Sequence, residues 1–314
     1  MKPIYVDLKG GLGLNFSFLR VAKALQTRGY KISVITPYWD IFAAANIPFY
    51  KPNEFRDFIF DAKSENAYVA TGRIYDQPSF IFKKLNYKYG WIKFLGLGKS
   101  NFLSHDEYNH LDFSPEKTFP SLISSYNGVI DRIKKAGYED YILVQFSGGQ
   151  SPLDIPPEGE WSKKPYDCTN EPLKRYYPVD KAQKFVDLYK EARPRTAVIQ
   201  YSLPNEPILQ GVIRPDETYL LFYMLSKHSK HVVCIDISLQ HMASGNCPVT
   251  VIWGHSLPDT FGYTCNKNIV QKIDAQDTWI TIYAKDVRTN RLFVNTKNND
   301  TWLGWQKFAM NVNK

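Results

Sequence analysis

Along the chain, short apolar runs alternate with longer stretches whose apolar positions recur every three or four residues, the pattern of buried parallel strands joined by helices. The first run predicts a strand over 4–8. A glycine loop, KGGLGLN over 9–15, follows it, then a helix over 16–28 with Phe18, Leu19, Ala22 and Leu25 on one face and Gly29 at its end. Residues 31–36 form the next strand. Further strands are expected over 57–60, 67–71, 142–146, 197–201, 232–235 and 249–253, and helices over 121–135, 179–193, 215–227 and 237–244. Later, 279–294 alternates around Arg288, Thr289 and Asn290 as a hairpin does, and 302–312 carries Trp302, Trp305, Phe308 and Met310 at a spacing that suits a helix.

The rest of the chain is organised around 231–263, HVVCIDISLQHMASGNCPVTVIWGHSLPDTFGY. A short apolar strand ends at Asp236. The next segment suits a helix, with Asp236 or Ser238 as its N-cap and Gly245, Asn246 and Pro248 to stop it; a second buried strand then closes at Gly254. In an open parallel sheet this unit puts Asp236 and the helix N-terminus at the carboxyl edge, where such sheets bind ligands and where backbone N–H groups favour a phosphate. The plainer alternatives are that Asp236 only caps the helix and that His241 is structural.

Composition narrows the field. The 314 residues, 44% hydrophobic, suffice for two domains. No apolar run approaches the ~20 residues of a membrane span, and Lys2 leads directly into a strand without a signal-peptide pattern, so a cytoplasmic protein is expected. Cys168, Cys234, Cys247 and Cys265 lack CxxC spacing and clustered histidines, which argues for reduced thiols and against a metal site. A net charge of +8 suits an anionic substrate or a polyanionic partner, though a mildly basic enzyme need have neither.

Asp236, His241, Ala243, Pro248, Gly254 and Pro258 resemble, in order and spacing, the C-terminal signature of the ADP-heptose lipopolysaccharide heptosyltransferase family, D-S-G-x-x-H-x-A followed by P, G and P. Ile237 and Ser238 stand where that family has Ser-Gly. Three other stretches are similar to the family. Ser147, Gly148 and Gly149 follow a strand, and Lys174 and Arg175 precede Tyr-Tyr-Pro, as in its P-G-A/S and K-x-W-P motifs. Ser202 to Glu206 is similar to its G-x-P-x-E, and 10–29 is like the G-x-G-D of two-domain glycosyltransferases, with Leu14 at the aspartate position.

The resemblance implies an α/β protein of GT-B type, two facing Rossmann-like domains with a cleft between them. The expected division is an acceptor domain over 1–140 and a nucleotide-sugar domain over 141–314. The last helix either crosses back to the first domain or lies on the surface. The implied activity is metal-independent, inverting transfer of a sugar from a nucleotide-diphosphate sugar, a co-substrate, with no other cofactor. Donor contacts then fall to Ser147, Gly148, Gly149, Lys174, Arg175, Glu206, Asp236, Ser238 and His241, with Lys174 on the diphosphate. The general base, a carboxylate of the first domain, is Asp7, Asp40 or Asp76, and the residues do not decide between them.

Residues 72–99 mix aromatic and basic side chains, including Arg73, Tyr75 and Lys84. These suit stacking on bases or sugars with cations on phosphates, and equally a surface helix with half-buried aromatics. With Gly11, Gly13 and Asn15 they are the candidate acceptor contacts. The favoured acceptor is double-stranded DNA carrying hydroxymethylcytosine, because the chain looks like the bacteriophage enzymes that glycosylate it; the compartment would then be the host cytoplasm. Lipopolysaccharide or another glycan is the alternative acceptor. A non-catalytic nucleotide-sugar or nucleic-acid binding protein is a third reading.

Overall fold

The computed structural model describes residues 2–8, 11–71, 86–88, 111–148, 175–202, 206, 208–215, 218–253 and 262–270. Within it the chain divides into two compact units, one running through Leu122 and taking in Tyr263 and Thr264, the other beginning at Ile123.

The first unit is built on β1 (Ile4–Asp7), α1 (Leu12–Thr27), β2 (Ile32–Ile35), α2 (Trp39–Ala44), β3 (Phe49–Tyr50), α3 (Phe55–Ser64), β4 (Tyr68–Thr71) and β5 (Asn86–Lys88). Its sheet runs in the order β3-β2-β1-β4-β5, and every pairing is parallel. All four residues of β1 are buried, as expected of a central strand covered on both faces. Chain order reverses at β1: β2 and β3 lie to one side, β4 and β5 to the other. The carboxyl ends of β1 and β4 therefore flank a topological switch point, the place where open α/β sheets take ligands.

The second unit contains α4 (Ser121–Lys135), most of which lies beyond the division, then β6 (Asp140–Gln145), the antiparallel pair β7 (Ser147–Gly148) and β8 (Arg175–Tyr176), α5 (Val179–Ala192), β9 (Thr196–Gln200), α6 (Tyr219–His228), β10 (Val232–Ile235), α7 (Ser238–Ala243), β11 (Val249–Trp253) and β12 (Lys267–Val270). Its main sheet, β12-β11-β10-β6-β9, is again wholly parallel. Here the order reverses between β6 and β10, so Gln145 and Asp236 border the second switch point. Among the described residues no helix is long and apolar enough to cross a membrane.

Three sequence expectations need correction. The run over 57–60 is not a strand but part of α3: Phe58 is fully buried while Phe60 is 70% exposed, and Ala62, one turn on from Phe58, is buried. A strand would have put Phe58 and Phe60 on one face. Helix α1 begins at Leu12, not 16, because Leu14 N–H and Asn15 N–H both bond Gly11 O and draw Gly13 into the first turn. Helix α6 begins at Tyr219, not 215, since Ile213 is held beside β9, exchanging bonds of 2.9 and 2.8 Å with Gln200 and Val198. Strand β12 was not anticipated. The hairpin expected over 279–294 and the helix over 302–312 lie outside the described residues.

The second sheet carries a pH-sensitive group. His231, 8% exposed, places Nε2 2.9 Å from Thr250 Oγ1, and burial followed by the nearby charge of Lys267 lowers its pKa to about 4. The unfolded chain binds this proton below about 6.5, the folded chain only below about 4, so in between the unfolded state holds more protons and stability rises with pH. This histidine's contribution is complete above pH 6.5 and lost as pH falls toward 4. Denaturant unfolding is expected to show about 2 kcal/mol less stability at pH 5 than at pH 7 from this group, and His231→Gln removes that part of the slope.

Candidate functional site

The carboxyl edge of the second sheet gathers most of the sequence-expected donor residues. Beyond Gln145 the chain turns through Phe146 into β7, where Ser147 pairs with Tyr176 and Gly148 with Arg175, while Tyr177 N–H bonds Phe146 O at 2.6 Å. Gly148 has φ +154°, a conformation side chains rarely adopt, and a β-carbon there would collide with Ile237 Cδ1 and lie 3.6 Å from Glu206 Oε1. The glycine is therefore favoured by its neighbour Ile237 as well as by its backbone. Ser147, Ile237 and Glu206 are all buried around it.

Glu206 lies beyond β9, at the same edge of the sheet. The segment that follows it is fastened from two elements: Leu209 N–H donates to Gln200 Oε1 (2.9 Å), Gln210 N–H to Gln183 Oε1 (2.6 Å), and Lys190 Nζ to Gly211 O (3.0 Å).

Asp236, 1% exposed, ends β10. Its Oδ1 accepts a 2.5 Å hydrogen bond from Gln240 Nε2. The N-cap of α7 is Ile237, which has no side-chain acceptor; Gln145 Oε1 reaches across from β6 instead, accepting from Leu239 N–H at 3.1 Å and Ser238 Oγ at 3.4 Å. One of the helix N–H groups that the sequence offered to a phosphate is thus already occupied. His241 is 5% exposed on α7, and Ser238 is the half-buried residue of that helix.

Two buried carboxylates, Asp236 and Glu206, give this edge acceptor character. Ionised carboxylates accept hydrogen bonds and repel phosphate, so the groups they suit are hydroxyls and amines. Arg175 is in register with Gly148 through the β7–β8 pairing. Lys174 and Gly149 lie outside the described residues.

In the first unit, Asp7 is 3% exposed at the carboxyl end of β1, in register with Ile35 and Thr71, and so at that unit's switch point. Gly11 is the N-cap of α1, with open space where a β-carbon would go, and Gly13 O accepts from Ser17 Oγ at 2.8 Å. Asn15 is fully buried: Nδ2 bonds Gly11 O (3.1 Å), Oδ1 accepts from Thr36 Oγ1 (2.6 Å), and Thr36 Oγ1 accepts from Tyr38 N–H (3.1 Å). Asn15 thereby ties the glycine turn to the end of β2. Asp40 sits in the first turn of α2, its Oδ1 3.0 Å from Ile41 N, a favourable place for a carboxylate. Asp76, Arg73, Tyr75 and Lys84 lie outside the described residues.

Sequence reading overlooked Gln145, Gln240 and Arg20. Gln240 carried a signal, since a Gln four residues after an Asp faces it across one helical turn. Gln145 carried none, because its partners are set by strand order. Arg20 is 2% exposed on α1 with its guanidinium 4.9 Å from the Tyr263 ring, within cation–π reach. Among the described residues, no three His, Cys, Asp or Glu side chains cluster as a metal site.

No protein-family model matches the chain, and no curated protein sequence is similar to it. Solved structures are. A glycosyl transferase family 9 protein from Veillonella parvula DSM 2008 superposes with a TM-score of 0.58 at 12% identity, over 98% of this chain and 97% of that one. The Escherichia coli ADP-heptose lipopolysaccharide heptosyltransferase II does so with a TM-score of 0.52 at 13% identity, over 93% and 96%. The shared feature is the fold: this chain has the GT-B architecture of two Rossmann-like domains.

Gln145→Leu, which removes the acceptor for Leu239 N–H, is expected to lower stability by about 1–2 kcal/mol in denaturant unfolding. Gly148→Ala is expected to lose more than about 2 kcal/mol, through its φ and the collision with Ile237.

Proposed function

We propose that this protein is a glycosyltransferase that moves a sugar from a nucleotide-diphosphate sugar to a hydroxyl of a glycan acceptor, the second unit taking the donor and the first the acceptor. The observation that carries this reading is the convergence of Asp236, Glu206, Ser147 and Gly148 at the switch point of the second sheet, in a chain of GT-B fold. Asp236 accepts hydrogen bonds from hydroxyls of the transferred sugar, and Glu206 from those of the ribose. Lys174 and Arg175 are the cations offered to the leaving diphosphate, the group on which charge develops.

The transfer balances as a single displacement. The acceptor O–H gives its proton to a carboxylate of the first unit, its oxygen forms a bond to the anomeric carbon, and the bond from that carbon to the diphosphate oxygen breaks on the opposite face, releasing a nucleoside diphosphate and inverting the centre. Asp7 is the carboxylate we assign as base, because it lies at the switch point of the first sheet. Asp40 is the weaker candidate, its Oδ1 being engaged by its own helix.

The glycan acceptor is preferred because one of the superposable structures is a lipopolysaccharide heptosyltransferase. The expectation of a DNA acceptor draws on the chain's size, its basic charge and residues 72–99, of which only the backbone of Asn86–Lys88 is described, as strand β5. Nothing among the described residues favours it.

The test is transfer from a panel of ADP- and UDP-sugars to truncated lipopolysaccharide and to hydroxymethylcytosine-containing DNA, read by product mass. Glycan product is expected, and product on DNA alone overturns the acceptor assignment. With the donor so identified, Asp7→Asn is expected to lower kcat by at least ~100-fold while leaving donor affinity unchanged. Retained turnover in that variant would remove Asp7 as the base.

A further inference from the structure

We propose that Gln240 is a positioning residue that holds the carboxylate of Asp236 in the orientation in which it receives the donor sugar; this rests on the reading of Asp236 given above. The bond from Gln240 Nε2 to Asp236 Oδ1 is 2.5 Å long, and the two residues are 0% and 1% exposed. The Gln240 amide is directed at Asp236, and it is through that carboxylate that it acts.

A merely structural staple is the competing explanation, and three observations oppose it. First, α7 is held without this bond: Gln145 takes Leu239 N–H, Ser244 Oγ donates to Gln240 O (2.6 Å), Asn266 Nδ2 donates to Ser244 Oγ (2.8 Å), and Asn246 Nδ2 donates to Met242 O (3.0 Å). Second, Asp236 precedes the N-cap residue Ile237, so it does not occupy the capping position that the bond would otherwise serve. Third, Gln240 Oε1 is buried with no hydrogen-bond partner among the described residues. A half-satisfied buried amide is a poor choice for packing, where Leu or Met fills similar volume without the unmet acceptor. What the amide supplies and those do not is an N–H aimed at a carboxylate. The amide orientation follows from the same contact, since an oxygen at 2.5 Å from Asp236 Oδ1 would be repelled.

If Asp236 receives the sugar, losing its positioning group affects the sugar and spares the nucleotide. The experiment compares wild type, Gln240→Leu and Gln240→Glu in calorimetric titrations with ADP, ADP-glucose, UDP and UDP-glucose. Wild type is expected to prefer one nucleotide sugar over the matching diphosphate. In Gln240→Leu that preference falls by at least ~10-fold, while affinity for the bare diphosphate stays within ~2-fold. Gln240→Glu donates to Asp236 only when protonated, so its preference is retained at pH 5 and lost at pH 8, a dependence absent from Gln240→Leu. The glutamate variant carries the test if the leucine variant does not fold. Equal loss of diphosphate and sugar affinity shows a structural staple and overturns the proposal, as does an unchanged preference in both variants. A wild type that binds none of the four ligands overturns the glycosyltransferase reading itself, and the proposal with it.

Discussion

The pairing of β10 between β6 and β11 is the constraint on which the second unit depends. Val232 is in register with Leu143 on one side and Val249 on the other, and the four residues of β10 are wholly buried. A slip of one residue would carry Asp236 or His231 into the buried run, and these polar ends hold the register. From that register it follows that Asp236 leaves the sheet beside Gln145. It also follows that Gln145, not a residue of the helix, completes the start of α7. This edge is therefore a consequence of strand order: residues distant in sequence meet because the order of the parallel strands reverses between β6 and β10.

Electrostatics at this edge are decided by burial. Glu206 and Asp236 are carboxylates nearly closed to solvent, a costly placement unless hydrogen bonds stabilise it, and Asp236 receives one from Gln240. Carboxylate groups at this edge suit hydroxyls better than phosphates. In the function proposed above, hydroxyls fall to these carboxylates and phosphates to Lys174 and Arg175.

Much of the fold was legible in the sequence. Strands β10 and β11 were legible to the residue, β10 as an apolar run between His231 and Asp236 and β11 as a mainly apolar one between Pro248 and Gly254, and so was α4. The misread run over 57–60 shows the limit of that reasoning. A short apolar stretch fits either period, and only the exposure of Phe60 against the burial of Phe58 separates them. The site was legible in part. Asp236 and Glu206 stood out through motif spacing, yet the need for glycine at 148 comes from a non-local neighbour, Ile237, and from a φ that no local pattern announces. Asn15, read as an acceptor contact, is seen in a buried network that shapes the turn before α1.

The central claim is that a nucleotide occupies the β6–β10 switch point. Hydrogen exchange of the intact protein, with and without saturating ADP or UDP, tests it most directly. The account predicts slowed exchange in peptides spanning 143–148 and 235–241, with 4–8 and 68–71 unchanged. Slowing confined to the first unit, or none at any nucleotide concentration, would contradict it.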